Sequence, residues 1–317
     1  MLKLLALLFI TITLGIAQGA NAGPKEDAFA AYNRKDYATA LRLWRPLATQ
    51  GHPDAQTNLG VMYEYGLGVP QDYKEAVRLF VLAAAQGLAE AQKCLGYMYR
   101  NGQGVPQDHK EAMRLYRLAA AQGYADAQNN LGGMYERGQG VPQDYKEAAR
   151  LYGLAAAQGL AIAQNNLGIM YRDGQDDKEA VRWYRLAAAQ GYANAQTSLG
   201  YMYSIGRGVP QDYKEAVRLY GLAAAQEHAK AQNNLGFMYE RGQGVPQNYA
   251  RAHMWYNLSA SSFSDEDGKK AINNRDEIAA KMTSAQIQQA QEMARNCQAS
   301  SYKECDCVLR TTQCAGC

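Results

Sequence analysis

The chain has 317 residues, 47% hydrophobic and 20% charged, with 23 Tyr against 5 Phe, a globular composition with enough apolar residues for a sizeable core. Its 33 Lys and Arg against 30 Asp and Glu leave a formal charge of +3 with no basic block. That balance removes the electrostatic basis for nucleic-acid binding or a polybasic membrane patch, and neither partner is expected.

Residues 1–22 carry a basic Lys3, an apolar stretch from Leu4 to Ile16, and Ala20-Asn21-Ala22 before Gly23. This is the pattern of a secretory signal with an A-x-A cleavage site, and the apolar stretch is shorter than the ~20 residues that span a bilayer. Cleavage after Ala22 and a periplasmic or secreted mature chain are expected. No Cys follows the site to carry a lipid, and no later apolar stretch is long enough to cross a membrane. Residues 23–54 read as N-terminal capping helices, in which Asp36 to Gln50 is a lone second helix with Trp44 covering the N-terminal end.

From there the chain repeats itself. Leu-Gly recurs at Leu59, Leu95, Leu131, Leu167, Leu199 and Leu235, at spacings of 36, 36, 36, 32 and 36 residues. Six copies result: 55–90, 91–126, 127–162, 163–194, 195–230 and 231–262. In the first, Ala55, Leu59, Met62 and Tyr63 lie at i, i+4, i+7 and i+8, one side of a helix. Gly66 and Gly68 stop that helix, since Gly tolerates the left-handed conformation at a helix C-terminus. After Val69-Pro70-Gln71, Asp72 is an N-cap, and Glu75 three residues on makes the pair resemble a capping box. The second helix runs Tyr73 to Gln86 with Ala76, Leu79, Phe80, Ala83 and Ala84 on one face, and Gly87 ends it. A Gly inside each first helix costs about 1 kcal/mol against Ala at an exposed site, so its recurrence predicts close packing. The Met62 and Tyr63 rows, recurring to Met238 and Tyr239, are expected as core. The fourth copy lacks four loop residues, Asp176 following Gln175, which predicts one shorter loop and an uninterrupted core. A single hairpin cannot bury its apolar face alone, so neighbours must stack. Residues 263–296 then read as C-terminal capping helices, split near Met282-Thr283-Ser284, and 297–317 as a Cys-rich tail.

The motif A-x-x-N-L-G-x-M-Y-x-x-G-x-G-V-P-Q-D-Y-x-x-A, nearly complete in five copies between Ala55 and Ser262, resembles the Sel-1-like repeat family, relatives of the tetratricopeptide repeats. The C-terminal run Arg251 to Leu258, with Asn274-Arg275-Asp276 and Met282-Thr283, is similar to bacterial members. The resemblance implies an all-α, right-handed α/α superhelical solenoid of tandem helical hairpins. It also implies an adaptor for a protein or peptide in the cell envelope or outside the cell, with the first helices on the concave surface.

Positions that vary between copies face away from the core stripe: Thr57, Val61, Glu64 and their equivalents. The second of these reads Val61, Tyr97, Gly133, Ile169, Tyr201, Phe237, and the third Glu64, Arg100, Glu136, Arg172, Ser204, Glu240. Exposed aromatic and aliphatic groups in such a row are the expected anchors of an interface, and alternating charge beside them sets specificity. The competing reading tucks the larger members between adjacent repeats.

The four His, at 52, 109, 228 and 253, do not pair at ligand spacing, and no phosphate loop, dinucleotide fingerprint, H-E-x-x-H or G-x-S-x-G occurs. No catalytic residue, cofactor or small-molecule substrate is expected. Cysteine-rich members of the resembling family have been described as binding or hydrolysing penicillin-like compounds, and Ser300-Ser301-Tyr302-Lys303 matches S-x-x-K, though without S-D-N or K-T-G. That leaves a hydrolase as the alternative. In the tail, Cys297, Cys305, Cys307, Cys314 and Cys317 are candidates for disulfides in an oxidising compartment or for a tetrahedral metal. Cys94, at the Asn58 position, is too far from the tail to bridge if the tail packs on the last repeat.

Overall fold

A computed structural model describes residues 23–262 and 266–300, with Tyr302 and Cys305. The signal pattern, Ser301, Lys303, Cys307, Cys314 and Cys317 lie outside the described residues. Sixteen helices and no strand occur among those described. The described residues form two compact bodies, divided between Asp108 and His109.

In the N-terminal body α1 (Pro24–Asn33) pairs with α2 (Tyr37–Thr49), α3 (Pro53–Tyr65) pairs with α4 (Tyr73–Ala85), and α5 (Ala89–Asn101) packs on α4. The helix expected to stand alone before the first repeat is therefore half of a hairpin. Trp44 is fully buried because Phe29 and Tyr32 of α1 enclose its ring, with centroids 5.5 and 5.4 Å away. The C-terminal body opens with α6 (His109–Ala121). Four hairpins follow: α7 (Ala125–Arg137) with α8 (Tyr145–Ala157), α9 (Ala161–Asp173) with α10 (Asp177–Ala189), α11 (Ala193–Ile205) with α12 (Tyr213–Ala224), and α13 (Ala229–Arg241) with α14 (Tyr249–Ser262). Two further helices, α15 (Glu266–Ala279) and α16 (Ser284–Ala299), pack on α14.

The ends of each helix follow from local chemistry. Gly66 takes φ +68° at the end of α3, and its N–H bonds to the Met62 carbonyl. The loop glutamine then reaches back: Gln71 Nε2 donates to the Glu64 carbonyl at 2.7 Å, as Gln143 does to Glu136 and Gln211 to Ser204. Carbonyls that would be orphaned at the helix end are thereby satisfied. Asp72, Asp144 and Asp212 each accept two amide N–H bonds at the start of the next helix. The capping box expected of Asp72 and Glu75 does not form. The Asp72 N–H donates to the Tyr63 carbonyl at 2.9 Å, and the Glu75 carboxylate instead receives the Arg78 guanidinium through two bonds of 2.8 and 2.7 Å. A reciprocal box does form where Thr283 opens α16 with Gln286.

The helical glycines are explained by what faces them. A Cβ on Gly60 would lie 2.6 Å from the Phe80 ring; on Gly168, 2.7 Å from Tyr184; on Gly200, 2.8 Å from Tyr220. The aromatic residue of each second helix thus sits against the bare backbone of its own first helix. The Met row is buried at 62, 98, 134, 202 and 238. The Tyr row is not core as expected: only Tyr239 is buried, and the others stand half-buried or exposed. Their hydroxyls find partners at the rim, Arg117 and Arg185 donating to Tyr135 and Tyr203 at 2.9 Å, as an amphipathic side chain requires.

Successive repeats meet through backbone as well as side chains. Gly104 would drive a Cβ into the Tyr73 carbonyl, Gly208 into that of Asp177 and Gly244 into that of Tyr213, so each loop leans on the start of the preceding second helix. A buried glutamine beneath links three elements. Gln164 Nε2 donates to the Ala156 carbonyl at 3.2 Å and its Oε1 accepts from Gln190 at 2.8 Å, and Gln56 and Gln196 do the same.

The short fourth loop leaves the hairpin intact, but Gly174 stays at φ −77° and Gln175 takes the left-handed turn at φ +67°. Met170 becomes half-buried and Tyr171 exposed. In the tail Cys297 and Cys305 form a disulfide, and Cys297, Tyr302 and Cys305 pack into the α13–α14–α16 core. Cys94 is free and buried, and burial pushes its thiol up to about 11. Among the described residues no group of His, Cys, Asp and Glu could hold a metal. No described helix is long and apolar enough to cross a membrane.

Candidate partner-binding face

The expected row separates into three kinds of position. Thr57 and Thr197 are buried, and their hydroxyls donate to the Pro53 and Ala193 carbonyls at 2.9 and 2.8 Å. That member of the row is internal, contrary to expectation, because a Thr hydroxyl one turn into a helix bonds back to the carbonyl four residues earlier. The charged member is also largely occupied. Glu64 is 7% exposed and burial raises its carboxyl. Glu136 and Glu240 accept from the Tyr152 and Tyr256 hydroxyls at 2.8 Å, which does not leave them as freely presented specificity charges. Arg172 pairs with Asp173 at 2.9 Å, while Arg100 is half-buried.

The middle member is open where it is aromatic. Tyr97, Tyr201 and Phe237 are 40%, 48% and 43% exposed, whereas Val61 and Ile169 are half-buried and Gly133 is buried. Val61, Glu64, Tyr97 and Arg100 belong to the N-terminal body. In the C-terminal body the structure brings Ile169, Arg172 and Tyr201 into one groove of about 900 Å³ across α9, α11, α13 and α15. Phe237 lines a second depression of about 520 Å³ with Ile205 and Met238, and the two share Tyr201 and Asn234.

Sequence reasoning missed the groove's polar half: Asn165, Asn194, Arg207, His228, Lys230 and Lys270. His228 is held in place by Thr197 Oγ1 at 3.0 Å and Asn194 Oδ1 at 2.6 Å, and burial lowers its pKa. Arg207 is fixed by Asp177 at 2.7 Å. A signal was present in the first-turn position of successive first helices, which reads Asp54, Glu90, Asp126, Ile162, Asn194, Lys230. The acid is lost and then reversed in the copies that line the groove.

Comparison with known proteins decides the family. Sel1 repeats match at 34–52, 53–88, 89–124, 125–160, 161–192, 193–228 and 229–262, contiguous over more than half of the chain. The chain is a Sel1 repeat protein. The matched copies begin two residues before those read from the Leu-Gly spacing, and a seventh covers α2. A crystal structure of a protective antigen present in uropathogenic Escherichia coli strains, displaying an SLR fold, is 31% identical over 93% of this chain with a TM-score of 0.79. This Sel1 repeat protein spans 65% of that chain's length. A Sel1 repeat protein from Oxalobacter formigenes is 31% identical, covering 78% of this chain and 99% of its own, with a TM-score of 0.69. No curated protein matches. Sel1 repeats are generally protein-interaction scaffolds rather than catalysts.

Proposed function

We propose that this Sel1 repeat protein is an exported scaffold that docks a protein or peptide partner along the first-helix face of its C-terminal body. The observation that carries the reading is the groove with its adjoining depression, where Tyr201 and Phe237 expose aromatic surface on a face the fold does not need for its own core. Aromatic anchors in a depression flanked by polar groups are the ordinary anatomy of an interface. Export is supported by the Lys3, Leu4–Ile16 and Ala20-Asn21-Ala22 pattern and by a Cys297–Cys305 disulfide, a bond that persists in oxidising compartments. The hydrolase alternative gains no support from Ser300, which is the C-cap of α16 and donates its hydroxyl to the Cys297 carbonyl at 2.9 Å.

The test is affinity purification from the native envelope with the wild type and with Tyr201→Asp/Phe237→Asp. A partner retained by the wild type and lost from the double variant, whose circular dichroism is unchanged, supports the face. An identical set of partners on both proteins rejects it.

A further inference from the structure

The C-terminal groove has a one-sided chemistry. Arg172, Arg207, Lys230 and Lys270 line it together with His228, and among the described residues no Asp or Glu does. The two arginines are neutralised in part by Asp173 and Asp177. Lys230 and Lys270 are exposed and make no ion pair among the described residues. The groove wall supplies amides and hydroxyls on successive helices: Asn165 and Asn166 on α9, Ser198 on α11, Asn234 on α13. Asn165 is only 4% exposed, and its Oδ1 is buried with no hydrogen-bond partner among the described residues. A buried acceptor left unpaired is costly, so a ligand that donates to it is favoured. A peptide main chain offers N–H donors; a phosphodiester backbone offers none.

The dimensions fit an extended segment. Three first helices spaced ~10 Å apart span ~20 Å, which roughly six residues cover at ~3.3 Å each. The adjoining depression of Tyr201, Ile205 and Phe237 is apolar in character.

Building on the docking face proposed above, we propose that its occupant is an extended acidic peptide segment. Two or more Asp or Glu side chains meet Lys230 and Lys270, the main chain lies against the Asn165–Asn234 wall, and one apolar side chain enters beside Tyr201 and Phe237. Electrostatic pairing across an open groove steers association and selects sign, while the apolar anchor supplies most of the hold.

The experiment uses the full-length protein and fluorescence anisotropy. Three labelled probes are compared: an eight-residue peptide of Glu and Asp around a central Leu, its Gln and Asn counterpart, and an oligothymidylate. The acidic peptide is expected to bind at least about tenfold tighter than the amide peptide at low salt and to weaken as salt rises. Lys230→Glu/Lys270→Glu removes that preference, and Tyr201→Asp/Phe237→Asp removes binding of both peptides. Equal binding of the two peptides overturns the acidic assignment, and if the Tyr201/Phe237 variant still abolishes it the docking face survives. Tighter binding of the oligothymidylate, no peptide binding, or acidic-peptide binding indifferent to all four substitutions overturns the proposal outright.

Discussion

Gly200 and Gly153 are both helical, and the difference between them states the packing rule of the repeat. A Cβ at Gly200 meets the Tyr220 ring at 2.8 Å, whereas one at Gly153 meets nothing within 4 Å. Ala is intrinsically favoured over Gly in a helix by about 1 kcal/mol, but overpacking a tight contact costs about 1–3 kcal/mol. Gly153→Ala is therefore expected to raise the stability measured by denaturant unfolding by ~0.5–1 kcal/mol, and Gly200→Ala to lower it by ~1–2 kcal/mol. The recurrence of Gly inside the first helix announced a close approach; the identity of the approaching group was not legible, because it depends on how two helices of one hairpin cross. The same limit explains the Thr57, Val61, Glu64 row. Helical periodicity places those residues on one side of α3, but a hydroxyl that bonds back to its own helix and a carboxylate that meets a neighbouring Tyr depend on contacts that periodicity does not contain.

At the scale of the element, helix starts and stops were read correctly from Asp72, Gly66 and their equivalents, since each is governed by residues within one turn. What the missing four residues do to the fourth hairpin was legible only in part. The core continues, but Gln175 takes the left-handed conformation that Gly fills in the other loops, which costs a non-Gly residue about 1–2 kcal/mol. Offset by the greater freedom that Gly gives the unfolded chain, Gln175→Gly is expected to stabilise the protein by ~0.5–1 kcal/mol, read from the midpoint of denaturant unfolding. A lower midpoint contradicts the assignment of strain to that residue.

In the C-terminal body two histidines tie stability to pH. Burial lowers the pKa of His228, assisted by Lys230, and that of His253, assisted by Arg275 and opposed by Asp276. A base whose pKa is depressed on folding binds fewer protons folded than unfolded, so its contribution is complete above the ordinary value near ~6.5 and is lost as pH falls below it towards the folded value. The melting temperature is expected to drop between pH 7 and pH 5, and His253→Gln to flatten that drop; an unaltered slope removes His253 from the explanation. Neither histidine was recognisable in this role from sequence, where each stands isolated. The loop glycines Gly104, Gly208 and Gly244, pressed against the carbonyls of Tyr73, Asp177 and Tyr213, act on the largest scale of all. Main-chain atoms gauge the step between neighbouring copies there, so surface residues are free to diverge without altering that contact. A cassette that keeps this loop glycine keeps the same main-chain joint to the copy before it.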